Sequence, residues 1–262
     1  MKQTLSIYKP IGVTPLEIIH LVQKHFPEFA DVKIAYAGRL DPMAEGLLLL
    51  LIGEECKQRK EYEKLTKEYE FEVLFGFATD SYDLMGMVTS TENQQMTFKT
   101  EMISSFVGKH LQEYPPYSSA RVNGKPLFYW ARNNLLHTIT IPKKEVEIYN
   151  MEYLFETKIS SAELLKIIIG RIGLVNGHFR QQEIISNWEK YFKNKEESYP
   201  IMKFKVSCSS GTYVRSIANE LGKKVGVSSL AFSIKRTKVG EFTLKDAIQL
   251  CEKPEISMNM KI

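Results

Sequence analysis

The 262-residue sequence predicts an α+β fold, and three observations carry that expectation. A helix-period segment near the N-terminus is followed by an unbroken apolar run and then by strict two-residue alternation. Helix and strand signals recur after that without the regular alternation of a doubly wound sheet. Hydrophobic residues make up 44% of the chain and charged residues 25%, which supplies enough apolar material for a sizeable core.

The elements follow in order. In "VTPLEIIHLVQKHF", Thr14 can cap a helix, Pro15 suits its first position and Glu17 completes a capping box. Ile18, Ile19, Val22 and Phe26 then share one face. The run Leu47 to Ile52 is apolar enough for a strand buried on both sides. In "KEYEFEVLFGFATDSYDLMG", Tyr69, Phe71, Val73, Phe75 and Phe77 alternate with Glu68, Glu70, Glu72 and two smaller positions, a strand with one wet face.

A helix is expected over 98–111, strands over 138–141, 145–156 and 201–208, and a helix over 161–169. Residues 170–200 are charged and lack clean periodicity, so they are expected to leave the main domain. Alternation at Phe204, Val206 and Cys208 leads through Ser209-Ser210-Gly211 into a helix with Ile217, Leu221 and Val225 on one face. A last strand over 232–240 and a short helix over 244–251 finish the reading.

Composition narrows the chemistry. A formal net charge of +4 permits a nucleic-acid partner without demanding one. The three cysteines, Cys56, Cys208 and Cys251, form no C-x-x-C pair, and the five histidines show no ligand spacing, so no metal is expected. Phosphate-binding glycine motifs are absent. Neither a secretion signal nor a membrane span is legible, so a cytoplasmic protein with no membrane partner is expected. Asp80 and Asp83 read as a solvated turn.

Four segments suit chemistry, and each also has a purely structural reading. Asp41 in "GRLDP" sits at the mouth of the leucine strand, where it could be a nucleophile or simply close a turn. Tyr69 could line a site or cap the core edge. Arg215 could pair with a carboxylate or face solvent, and the helix start beside it could hold a phosphate. Between Tyr114 and Arg132, Tyr117, Phe128, Tyr129 and Trp130 interleave with Arg121, Lys125 and Arg132. That composition suits an RNA surface, where cations meet phosphates and rings stack on bases, or equally an ordinary amphipathic helix.

Taken in order, six blocks resemble the TruB-type tRNA pseudouridine synthases: "YKPIGVTP", "GRLDPMAEGLLLLLIG", "KEYEFEVLFGFATDSYDLMG", "YPPYSSARVNGKPLFYWAR", "CSSGTYVRSIANELGKKVG" and "KRTKVGEF". The resemblance covers residues 5 to 250. It implies a pseudouridine synthase-like mixed, largely antiparallel sheet with flanking helices and a central catalytic cleft. It implies no cofactor, and as substrate an RNA, in the first place the T-arm loop uridine of tRNA, handled by a monomer.

The resemblance also assigns residues. Asp41 matches the essential aspartate, Tyr69 the tyrosine stacked on the target uracil, and Arg215 the arginine paired with the aspartate. Tyr213 and Ile234 match pocket walls, while Lys9 and Pro10 match the N-terminal pair supporting the site. Tyr36 stands where the family has a histidine that holds the flipped loop. Arg39 replaces a small residue and Glu45 a threonine. The catalytic domain is expected over 1–252, with an RNA-contacting insert at about 112–136, an excursion at about 170–200 and a short tail over 253–262. The family's C-terminal PUA domain is expected to be missing. An RNA-binding or tRNA-folding chaperone with weak or lost catalysis, and the same chemistry on another RNA, are the alternatives.

Overall fold

The computed structural model describes residues 3–92 and 96–250. Strand β1 (Gln3–Lys9) leads into helix α1 (Pro15–His25), where Thr14 and Glu17 form the capping box expected from the sequence. Strand β2 (Ile34–Ala37) precedes β3 (Ala44–Ile52). Along β3 the apolar run divides by parity. Leu48, Leu50 and Ile52 pack with Ile18 and Val22 of α1, while Leu47, Leu49 and Leu51 meet Val239 on the other face. Burial on both faces is what the unbroken run encodes.

Helix α2 (Arg59–Lys64) turns the chain into β4 (Lys67–Phe75), whose Tyr69, Phe71 and Val73 point into the core between half-buried glutamates. The alternation expected to reach Phe77 breaks at Gly76, which adopts φ +101°. Strand β5 (Phe77–Thr79) starts afresh there, pairs with β6 (Val88–Thr91) and puts Phe77 in a separate cluster with Trp188. The helix expected over 98–111 is instead a 3₁₀ turn, Thr100–Phe106, followed by strand β7 (Gly108–Glu113). Gly108, at φ +105°, separates the two.

A tight hairpin, β8 (Arg121–Val122) and β9 (Lys125–Pro126), carries helix α3 (Leu127–Arg132). The strand expected over 138–141 does not form; the chain there leaves a 3₁₀ turn, Leu136–Thr138, and strand β10 (Lys143–Ser160) starts beyond Pro142. Helix α4 (Ser161–Gly173) runs longer than expected. Residues 170–200 are not devoid of periodicity. They hold helix α5 (Gln181–Phe192), whose Ile184, Trp188 and Phe192 recur every fourth position and are buried with Phe77 and the apolar face of α4.

Strand β11 (Ser198–Cys208), helix α6 (Val214–Val225) and strand β12 (Ser229–Val239) match the reading closely. The helix expected over 244–251 is replaced, after β13 (Phe242–Thr243), by the 3₁₀ turn Leu244–Asp246 and strand β14 (Ile248–Gln249). Cys251 and the tail over 253–262 lie outside the described residues.

The sheet runs β14-β1-β3-β12-β4-β11-β10-β7, with β2 and β13 attached at β3 and β12. Pairing is antiparallel except for β1 with β14 and β3 with β12, so the α+β expectation of a mixed, largely antiparallel sheet holds. The central trio β3-β12-β4 sets the site. Ile234 pairs with Ala44, and Arg236 pairs with Gly46 on one side and Tyr69 on the other. Among the described residues no helix is long and apolar enough to cross a membrane.

Candidate active site

Asp41 lies in the loop that enters β3, ahead of a strand whose Leu47 to Leu51 are fully buried. Ala44 N donates to Asp41 O at 3.0 Å, and Gly12 N donates to Pro42 O at 2.8 Å, so the backbone on the C-terminal side of the carboxylate is held. Helix α6 begins across the cavity and brings Arg215 to it. Arg215 Nε stands 2.9 Å from Asp41 Oδ2 and 3.6 Å from Asp83 Oδ2. The Nε–H is not aligned for a hydrogen bond, so the attraction is between charges. The other guanidinium nitrogens donate to Ser81 O at 2.9 Å and Tyr117 O at 3.2 Å, which fixes the fork.

The electrostatics follow from burial. Loss of water works against the Arg215 charge, but Asp41 and Asp83 more than offset it and the guanidinium is held protonated. Burial pushes the Asp83 carboxyl up, while Arg215 and the Ser81 hydroxyl pull the other way. Burial and the nearby Asp41 push the Tyr213 phenol up to about 12. Tyr69 is raised by burial against the pull of Arg236. Both rings are therefore neutral walls at physiological pH.

These groups face one cavity of about 750 Å³, large enough for a nucleoside. Asp41, Tyr69, Tyr213, Arg215 and Ile234 line it together, as the sequence led one to expect. Tyr36, Arg39 and Arg132 line it as well, with Arg59 lying 5.4 Å from the centre of the Tyr36 ring. Lys9, Arg121 and Lys125 are not among its lining residues. Lys9 is fully buried and donates to the carbonyls of Pro10 and Val13 at 3.0 and 2.7 Å, bracing the turn that holds Pro42. Arg121 closes its own hairpin on Gly124 O at 3.0 Å, and Lys125 folds onto the Tyr129 ring at 4.0 Å.

Other residues in the cavity wall, and Asp80 just behind it, escaped sequence reasoning. Asp80 and Asp83 do make turn hydrogen bonds, to Met87 N and Met85 N at 2.9 Å each, but they are not a solvated turn. Asp83 is buried against Arg215, and Asp80 takes Arg180 at 3.1 Å and the Tyr117 hydroxyl at 3.1 Å. Arg180 also lies over the Tyr117 ring, 4.6 Å from its centre. Phe179 and Arg180 come from the segment taken for an excursion, so no local signal marked them. Arg236 could have been found as the arginine of "KRTKVGEF". It is buried and donates to Leu47 O at 2.7 Å, tying β12 to the strand behind Asp41. Among the described residues no three His, Cys, Asp or Glu side chains gather as a metal site would.

Comparison with known proteins shows what the chain is similar to. The family model for TruB family pseudouridylate synthase (N terminal domain) matches residues 25–166. The tRNA pseudouridine synthase B of Lactobacillus johnsonii is 33% identical over 248 residues, covering 93% of this chain and 70% of that protein. Its counterpart in Clostridium tetani is 27% identical over 254 residues, covering 95% and 72%. Among solved structures, a chain of a Cbf5-Nop10-Gar1 complex matches with a TM-score of 0.56 at 16% identity, over 94% of this chain and 52% of that one, a likeness of fold.

Proposed function

Because the chain belongs to the TruB family of pseudouridylate synthases, we propose that it converts the T-arm loop uridine of tRNA to pseudouridine with Asp41 as the nucleophile. Pseudouridylation of RNA makes it an isomerase. The observation that carries the residue assignment is the Asp41–Arg215 pair, 2.9 Å apart, inside a cavity walled by Tyr69, Tyr213 and Ile234.

A stacked uridine cannot reach a carboxylate inside such a cavity, so the nucleotide flips out of its loop and the Tyr69 ring replaces the lost stacking. Asp41, seated at the end of β3, then adds a carboxylate oxygen to C1′ of the ribose or C6 of the uracil. The N1–C1′ bond breaks, the base turns within the neutral apolar walls, and C5 bonds to C1′. Release of Asp41 and loss of the C5 proton complete the isomerisation, with no net change in atoms or electrons. Arg215 supplies the counter-charge that keeps the carboxylate in place throughout. Lys9 acts from beneath, through the turn that holds Pro42, rather than by touching RNA.

Carbodiimide modification and primer extension on tRNA transcripts test this. A single new stop in the T-arm loop after incubation with the protein is expected. Stops elsewhere only would move the chemistry to another RNA site, and refolding of tRNA without any stop would favour the chaperone reading.

A further inference from the structure

We infer that the cavity carries a phosphodiester subsite, formed by Lys67, Arg236 and Arg39 around the bare Cα of Gly38, that grips the RNA backbone beside the flipped nucleotide. The inference rests on the reading that this cavity receives a uridine of RNA.

Lys67 opens β4 two residues before Tyr69, so both side chains point to the same face of the sheet and both line the cavity. The lysine is only 5% exposed, and its ammonium donates to the carbonyls of Glu63 and Leu65. Arg236 is 1% exposed and donates, besides Leu47 O, to the carbonyls of Gly38 and Arg39 at 3.3 and 3.4 Å. Neither cation has a carboxylate partner among the described residues. Glu63, the carboxylate that lines this end of the cavity, is engaged by Arg59 at 2.8 Å.

The opposite end is arranged differently. There Asp41 and Asp83 share Arg215, and Asp80 holds Arg180. Charge is thus paired where the chemistry is proposed and unpaired at the Gly38 end. Burying cations without a counter-charge is costly, and an anion arriving in the cavity removes that cost. Burial first, and the nearby Arg236 charge second, lower the Lys67 ammonium to about 8.

Gly38 lies against both cations. It sits at φ +80°, and a Cβ there would lie 3.7 Å from Arg236 Nη1 and 3.8 Å from Lys67 Cε. Both buried cations thus lie against the bare Cα and line the cavity side by side, with the exposed Arg39 next in sequence. A point charge beside a fork of N–H donors suits a phosphate oxygen pair. A flipped uridine brings one phosphodiester on each side of its ribose, and Gly38 lies three residues from Asp41.

Binding is measured in the Asp41→Asn background with a T-arm hairpin in which the phosphodiester 5′ or 3′ of the target uridine is replaced, one at a time, by a neutral methylphosphonate. Lys67→Gln is expected to weaken binding about tenfold and to reduce the slope of log affinity against log salt by about 0.7–0.9, with Lys67→Arg restoring most of both. One of the two neutral linkages is expected to weaken the Lys67 protein clearly more than Lys67→Gln, in which only the two arginines still meet that phosphate. An unchanged salt slope in Lys67→Gln, or neutral linkages that weaken both proteins equally, would overturn the subsite. Turnover of the unmodified hairpin by the wild-type chain separates the two levels. If pseudouridine forms and the slope does not move, only the subsite fails. If no pseudouridine forms in any uridine of the hairpin, the proposed function fails and the subsite with it.

Discussion

One guanidinium serves two carboxylates of unlike exposure: Arg215 Nε is 2.9 Å from Asp41 Oδ2 and 3.6 Å from Asp83 Oδ2, with side chains 4%, 32% and 10% exposed respectively. Asp83 and Arg215 form the buried half of the arrangement. Asp41 is the half that a substrate can reach. Anchoring and reactivity are thereby divided between two aspartates, Asp83 in the buried interior and Asp41 in the loop that enters β3.

Removing the arginine should therefore cost stability as well as turnover. Arg215→Met strands the Asp83 carboxylate in the interior, and a loss of about 3–5 kcal/mol is expected in urea unfolding. Asp41→Asn, at the exposed side, is expected to change stability by less than about 1 kcal/mol. Equal losses in the two variants would contradict the division.

Gly46 offers a test of the sheet's central register. It adopts φ +110°, and a Cβ would fall 2.3 Å from Arg236 O and 2.8 Å from Arg236 N. Gly46→Ala is expected to destabilise by more than about 2 kcal/mol, from both the left-handed backbone and the forced separation of β3 from β12. A variant as stable as wild type, by thermal or urea unfolding, would mean these strands are not so close.

Helix α5 is expected to be integral to the core. Trp188 is fully buried, stacked at 5.9 Å on Phe192 and 5.2 Å from the ring of Phe77. Trp188→Ala should cost about 3–5 kcal/mol, the range for truncating a large buried aromatic. A loss below about 1 kcal/mol would restore the view of this segment as an appendage.

What was legible in the sequence follows from where the information lies. The capping box of α1, the double burial of β3 and the alternation of β4 are encoded by neighbours in the chain, and they appear as read. Asp41, Tyr69, Tyr213, Arg215 and Ile234 were identified through resemblance, and the fold brings them to one cavity. Failures came where one glycine outweighed a pattern: Gly76 cut a strand, and Gly108 turned half of an expected helix into a strand. Arg180 and Phe179 were invisible because their partners lie 100 residues away or across the cavity. The buried spacing of Ile184, Trp188 and Phe192 was in the sequence, hidden by the charges between them.

Lys9 gives the fold a pH signature. Burial lowers its ammonium to about 7, with Asp41 opposing and Arg236 adding to the shift. The unfolded lysine titrates near about 10.4. Between those values the unfolded chain binds a proton that the folded chain does not, so stability rises with pH across that window. Below pH 7 both states are protonated and the full cost of the buried charge is present. Relative to Lys9→Met, the wild type is expected to gain on the order of 2–3 kcal/mol between pH 7 and 9.5 in urea unfolding. A constant difference between the two proteins would show that Lys9 is not a depressed, buried ammonium.

The central claim is that Asp41 carries the chemistry of an RNA isomerase, and tritium release from tRNA transcripts labelled with 5-tritiated uridine tests it most directly. Replacement of the C5 proton by the new bond to C1′ frees the label into water. The wild-type chain is expected to release tritium to a plateau near one per tRNA, and Asp41→Asn to release none while still binding the RNA. Release by Asp41→Asn at the wild-type rate would contradict the account.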